Sequence, residues 1–294
     1  TRALVIDPEV IFSTFSGSLS DNFGYTATFS SDGKSYSGGT VFGPDFPVDS
    51  GSYIAFQDTF ANGASADPAI GDIARDCAIL KYNEDGSSLE YATYLGGSHN
   101  EDPHSMIEDK DGNLLILGNT GSADFPGASG SKLQDSLKGD YDIFVAKLSN
   151  DGTSLMNSTY LGGNSTDGNN GDQNVDPVTG VARNTSKLGF NYGDQYRGEI
   201  IVDSFNNVCI VSSTSSLDYP LKNSLQDTLG GQQDAILTIF DPNFDSLLYS
   251  SYFGGLKDDA GYGLAIDPLT NDILFCGGTE SNDLSFNTKS HKSN

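Results

Sequence analysis

The chain predicts an all-β fold of tandem four-stranded units, on three observations. One short phrase recurs four times: FSTFSGS from Phe12, YATYLGGS from Tyr91, NSTYLGG from Asn157 and YSSYFGG from Tyr249. Other phrases return between the copies in fixed order, which marks a repeat architecture. Glycine supplies 35 of 294 residues, far above the usual ~7%, as a fold rich in tight turns requires. Helical periodicity is nearly absent, and the one stretch that hints at it, 130–138, is weakened by its Gly and Ser.

The elements follow the same order in each unit. After the GG-like turn stands an acidic residue: Asp21, Glu101, Asp167 or Asp259. A turn and a strand ending in small residues come next, as in KDGNLLILGNT from Lys110 and SFNNVCIVSST from Ser204. An acid, an aromatic and a proline follow at Asp45-Phe46-Pro47, Asp124-Phe125-Pro126 and Asp218-Tyr219-Pro220. Then comes Gln-Asp-Ser/Thr at Gln57, Gln134 and Gln226, and last a strand, a turn and a strand, as in DIFVAKLSNDGTSLMNSTYL from Asp142. The Asp-Gly steps at Asp32, Asp85, Asp111 and Asp151 lie between apolar runs, the signature of a hairpin. Phe15, Tyr94, Tyr160 and Tyr252 are 79, 66 and 92 residues apart. The longest interval carries a polar insertion, 169–196, of the kind surface loops tolerate because closure entropy grows slowly with length.

A single four-stranded unit cannot bury both faces of its sheet, so the units must stack as the blades of a β-propeller. YATYLGGS, KDGNLLILGNTGSADFP and DIFVAKLSNDGTSLMNSTYLGG resemble the seven-bladed β-propeller repeat family of large secreted bacterial proteins. The lead-in ALVIDP from Ala3, followed by IFSTFSGS, is similar to the start of that propeller in multidomain surface proteins of gliding, Bacteroidetes-type bacteria. The resemblance implies export by type IX secretion, an extracellular place on the cell surface and further domains in the same longer chain. Units are expected at 11–90, 91–156, 157–248 with the inserted loop 169–196, and 249–294, after a lead-in at 1–10. Four units cannot close a seven-bladed ring, so an incomplete part of a larger propeller is expected.

Lys and Arg number 15 against 40 Asp and Glu, a net charge of −25. That excludes a nucleic-acid binder, which needs clustered cations to displace counterions, and argues against an anionic membrane surface. No apolar run reaches the ~18 residues of a membrane helix, so no direct membrane insertion is expected. Cys77, Cys209 and Cys276 each lie in an apolar run and read as buried thiols.

Candidate chemistry is sparse. His99, Glu101, Asp102 and His104 fall together in SHNEDPHS, but their spacing is not that of a zinc site, and the segment reads as a solvated loop. Asp109, Asp111 and Asn113 have the first spacings of a Ca²⁺ loop without its later ligands. No cofactor is expected beyond weak Ca²⁺ binding. Asp21, Glu101, Asp167 and Asp259 would stand at one radius in a propeller, either as an acidic metal-binding ring or as caps of their own turns. Thr59, Ser136, Thr228 and Ser246 each follow Asp and precede a hydrophobic residue, which resembles the O-glycosylation acceptor of Bacteroidetes surface proteins. The repeat-bound aromatics belong to the core, whereas Tyr192 and Tyr196 in the insertion are candidate ligand contacts. The expectation is a non-enzymatic extracellular scaffold for adhesion or protein–protein contact, gliding-associated, with other surface proteins or glycans as partners. A carbohydrate-binding propeller is the alternative, and a propeller lyase or glycosidase is the third reading.

Overall fold

The computed structural model describes residues 10, 12–16, 18–48, 51, 53–61, 75–127, 131–170, 188 and 194–284. The lead-in 1–9 and most of the insertion, Tyr192 included, lie outside them. The first sheet has the order β1 (Asn22–Phe29), β2 (Ser35–Val41), β3 (Asp76–Tyr82), β4 (Leu89–Leu95). The second is β5 (Glu101–Glu108), β6 (Leu114–Thr120), β7 (Asp142–Leu148), β8 (Leu155–Leu161). The third is β9 (Glu199–Val202), β10 (Val208–Thr214), β11 (Asp234–Phe240), β12 (Leu247–Phe253), and β13 (Asp259–Ile266) pairs with β14 (Ile273–Thr279). All neighbours are antiparallel. This is the meander of a propeller blade. The recurring TYL phrase forms the outer strand that ends a sheet, so the second sheet and the β13–β14 pair start at the acid after GG, the first sheet one residue past Asp21, and the third only at Glu199, beyond the insertion.

Burial on both faces explains why the middle strands read as continuous apolar runs instead of alternating ones. Leu114 and Ile116 of β6, with Phe144 and Ala146 of β7, pack against Cys77 and Ile79 of the first sheet. Their neighbours Leu115, Leu117, Ile143 and Val145 point the other way and pack against Ile200, Val208, Ile210 and Ile236 of the third. The first strands lie next to one another, with β5 against β1 and β9, and β13 against β9. Cys77 and Cys209 are buried as expected, but Cys276 is exposed, because β14 is open to solvent along most of its length.

The last hairpin of each blade shows a complementary exchange of bulk. Gly86 lies under the ring of Phe12, and Gly152 under the ring of Tyr91, where an added Cβ would stand 2.1 and 2.4 Å from the nearest ring carbon. Phe12 thus occupies, against the first blade, the place that the β4 tyrosine holds against the second. In the third blade the aromatic comes from the other side: β8 offers Asn157, and the turn itself supplies Phe244, buried at φ 58°. Gly152→Ala combines a positive φ of 71° with that collision. It is expected to cost about 2–4 kcal/mol, the sum of left-handed strain and overpacking, read as a lower urea midpoint. A cost under about 0.5 kcal/mol, the range of an inert surface change, would mean that the ring moves freely aside.

Candidate ligand site between the inner strands

The acids that follow each GG turn act at the blade junctions. Glu101 Oε2 accepts the Gly97 N–H at 3.0 Å, and Oε1 accepts the hydroxyls of Thr120 and Ser122, each at 2.6 Å. Asp167 repeats the pattern with Gly163 N–H and the Ser216 hydroxyl, both at 2.8 Å, and with the Thr214 hydroxyl. Asp259 takes Gly255 N–H at 2.7 Å and the Ser281 hydroxyl at 2.8 Å. Asp21 differs: it is exposed, and it is its backbone carbonyl that accepts, from Phe42 N–H at 3.0 Å. No three or more His, Cys, Asp or Glu converge as a metal site among the described residues. The four acids are therefore not gathered around an ion; three are buried and spent on hydroxyl and amide donors.

A second carboxylate faces each of these, at the start of the third strand. Asp142 accepts Lys138 and Gly139 N–H and the Gln134 amide, and Asp234 accepts Gly230 and Gly231 N–H and the Gln226 amide. Between the two carboxylates runs the first glycine of the GG pair. A Cβ on Gly96 would lie 2.6 Å from Glu101 Oε2 and 2.7 Å from Asp76 Cγ, and one on Gly162 would lie 2.6 Å from both Asp142 and Asp167. Burial, with Asp76 alongside, pushes the Glu101 carboxyl up to about 8 against its hydrogen bonds. Burial, with Asp142 alongside, pushes Asp167 up to about 7.

The other phrases complete the junction. The hydroxyls of Tyr94, Tyr160 and Tyr252 accept the N–H of Phe46, Phe125 and Tyr219 at 3.0, 3.1 and 3.2 Å. Gln57, Gln134 and Gln226 accept Gly96, Gly162 and Gly254 N–H and donate to the carbonyls of Thr59, Ser136 and Thr228. The side chains of those three residues, and of Ser246, are on the surface. The Ser246 hydroxyl donates to Asp241 at 2.8 Å. Asp109 is also committed: it accepts Asp111 and Asn113 N–H at 2.9 Å and pairs with Lys147 at 3.0 Å.

SHNEDPHS is a buried inner strand from Glu101 onward, not a solvated loop. Its polar residues are directed to different places. Asp102 receives Arg75 Nε at 2.8 Å and Nη2 at 2.9 Å, His99 is exposed, and His104 turns toward a cavity. That cavity, about 400 Å³, is lined by Tyr25, His104, Tyr196, Arg197, Glu199 and Tyr262, with Ser105 and glycines between them. A β-bulge at one ladder position delivers three of these. The register skips Tyr25 between Gly24 and Thr26, His104 between Pro103 and Ser105, and Tyr262 between Gly261 and Gly263. A bulge frees a residue from pairing and re-aims its side chain. β9 pairs without a bulge, and there a 3₁₀ turn, Asp194–Tyr196, presents Tyr196 instead.

Tyr196 is central to the cluster. Its ring lies 6.0 Å from Tyr25 and 6.5 Å from His104, and its hydroxyl is 3.5 Å from Arg75 Nη2. Burial lowers His104 to about 4, so the imidazole is neutral at pH 7. Of the cavity residues, only Tyr196 was expected as a ligand contact. The repeated Gly/Pro-aromatic step at Gly24-Tyr25, Pro103-His104 and Gly261-Tyr262 is the sequence signal that points to the others.

Residues 90–126 match the family model of the beta-propeller repeat. The match covers one junction, from β4 through the GG turn, Glu101 and β6 to Asp124-Phe125-Pro126. No curated protein matches the chain. Among solved structures, an unknown function protein from Dyadobacter fermentans DSM 18053 is similar at 12% identity and a TM-score of 0.43, over 95% of this chain and 62% of that one. The chain thus spans less than two thirds of that neighbour. A repeat match on one junction, and the same junction built again between successive four-stranded antiparallel sheets, make this chain a β-propeller.

Proposed function

We propose that the chain is a non-enzymatic, extracellular β-propeller module of a larger bacterial surface protein, a rigid platform for adhesion or for contact with other surface proteins. The observation that carries this is the use of the recurring acids. Glu101, Asp142, Asp167, Asp234 and Asp259, the side chains a glycosidase or lyase would need, are spent on joining blades. A chain whose repeated motifs all serve rigidity suits a scaffold, with specificity left to loops and to the cavity between the inner strands. The charge of −25 keeps such a module soluble and steers it away from other acidic surfaces. Type IX export, an association with gliding and glycans on Thr59, Ser136, Thr228 and Ser246 belong to the same proposal, and rest on sequence resemblance.

Antibody raised against residues 1–294 is expected to label intact cells of the source organism, and external protease to remove the label. Labelling only after lysis would sink the surface reading.

A further inference from the structure

We propose that Lys81 and Asn150 join the first and second blades through an isopeptide bond that the folded chain forms by itself, with Glu90 as the proton carrier. A nucleophile, an amide and a carboxylate meet at that junction. Lys81 is the nucleophile, and its side chain has no exposed surface. Its Nζ donates to Asn150 Oδ1 at 2.8 Å, so the amide carbon stands one bond behind the accepted oxygen. Asn150 lies in the turn between β7 and β8, and its amide is held at both ends, because Nδ2 donates to the Gly112 carbonyl at 2.6 Å. Glu90 of β4 is the carboxylate: Lys34 anchors Oε1 at 2.9 Å, and Oε2 stands 4.0 Å from Lys81 Nζ. Long contacts between catalytic groups tighten as the reacting centre forms.

The lysine nitrogen is kept from water. The buried ring of Tyr36 lies 4.9 Å from Nζ, and Tyr91, also buried, packs 6.5 Å from Tyr36 and covers Gly152, two residues beyond Asn150. Burial pulls the Lys81 ammonium below the ordinary lysine range, and a lysine amine freed of its proton is a competent nucleophile. In the step, the Nζ lone pair bonds to Asn150 Cγ and the Cγ–Nδ2 bond breaks. Glu90 takes one proton from Nζ and returns it to Nδ2, which leaves as ammonia; nothing is oxidised or reduced. Asn150 is exposed, so the ammonia escapes directly to solvent. The next junction supplies a comparison within the same chain. Lys147 holds the place of Lys81 in β7, but Pro242 stands where Asn150 does and Met156 where Glu90 does. Its Nζ meets the Pro242 carbonyl and the Asp109 carboxylate, with no side-chain amide to attack. Amide and carboxylate thus occur together at one junction and are missing together from the other. Before the bond forms, Lys81 contributes its hydrogen bonds alone; afterwards β3 and the β7–β8 turn are tied covalently.

The test is intact mass spectrometry of the 294-residue chain, freshly purified and through several weeks of storage, with tryptic mapping. A mass about 17 Da below that of the sequence, the ammonia lost, is expected. With it should come one tryptic fragment joining residues 76–110 to 148–183, uncleaved at Lys81. Lys81→Met and Asn150→Ala should each keep the full mass of their sequences and give no joined fragment. Glu90→Gln can keep its place beside Lys34 and should form the bond about a hundredfold more slowly, the worth of a positioned proton carrier. That variant, and the mapping of the unaltered chain, keep the test open if the other two do not fold. A full mass that persists through storage would overturn the proposal. So would a deficit of that size without the joined fragment, which marks a succinimide instead, or a gain of about 1 Da at Asn150 from deamidation. An unchanged rate in Glu90→Gln would overturn it as well.

Discussion

Raising the pH from about 5.5 to about 8.5 is expected to destabilise the folded chain, the reverse of what ion-paired carboxylates do. Glu101 and Asp167 hold their protons to about 8 and about 7, against ordinary values of 4.5 and 3.8. Between those limits the folded state binds protons that the unfolded chain has released, so stability falls as pH climbs. It is complete below the ordinary values and lost as pH rises through the folded ones. At about 1.4 kcal/mol per unit, the loss is on the order of 3 kcal/mol for each group. Surface carboxylates finish ionising below this window, and His104, whose folded value of about 4 lies below the ordinary 6.5, adds stability only up to about pH 6.5, so above that the slope is left to the junctions, where Asp76 and Asp142 are the facing acids. Urea midpoints at pH 5.5, 7 and 8.5 measure it. Glu101→Gln and Asp167→Asn should flatten the slope. The amide oxygen can keep the glycine N–H, and the amide nitrogen can donate to the hydroxyls of Thr120 and Ser122, or of Thr214. A midpoint that holds steady or rises with pH, or equal slopes in wild type and both variants, would refute the account.

Much of this junction was legible as recurrence, and little of it as chemistry. GG followed by an acid, Gln-Asp-Ser/Thr and Asp-aromatic-Pro stand out as phrases because each supplies one side of a hydrogen bond to another. What recurrence cannot convey is which partner lies across the junction. Asp21 and Glu101 occupy the same place in the phrase, yet one is exposed and the other buried, because only Glu101 has a blade behind it among the described residues. The segment around His104 looks like a loop because its polar residues are directed three ways: to the junction, to Arg75 and to the cavity. Only a bulge register, which no local pattern encodes, turns His104 out of the ladder. The exchange of Tyr91 over Gly152 for Asn157 beside Phe244 was hidden for the same reason: each half lies in a different blade and means nothing alone.

Lys147→Met is expected to cost about 3–5 kcal/mol, the loss that follows when one member of a buried ion pair is removed. Lys147 is the penultimate residue of β7, directly after the apolar run Ile143 to Ala146, and its ammonium crosses to the third blade, where the Pro242 carbonyl accepts it at 2.7 Å. Asp109 pairs with it at 3.0 Å with only 1% of its side chain exposed, so methionine would leave a buried carboxylate without its cation. Lys81 holds the same position in β3 and reaches the second blade, donating to Asn150 O at 2.9 Å and Oδ1 at 2.8 Å. Its nearest carboxylate, Glu90, is 4.0 Å away and 31% exposed, so Lys81→Met strands no charge and should cost only the lost hydrogen bonds, about 1–3 kcal/mol. The third blade has Ile239 at this place and joins β13 by apolar packing instead. Adding Asp109→Asn to Lys147→Met should restore more than half of the loss, because the amide oxygen still accepts Asp111 and Asn113 N–H while the charge is gone. Equal losses for the two single variants, or no recovery in the double, would place the contribution of Lys147 in its hydrocarbon stem and not in its charge.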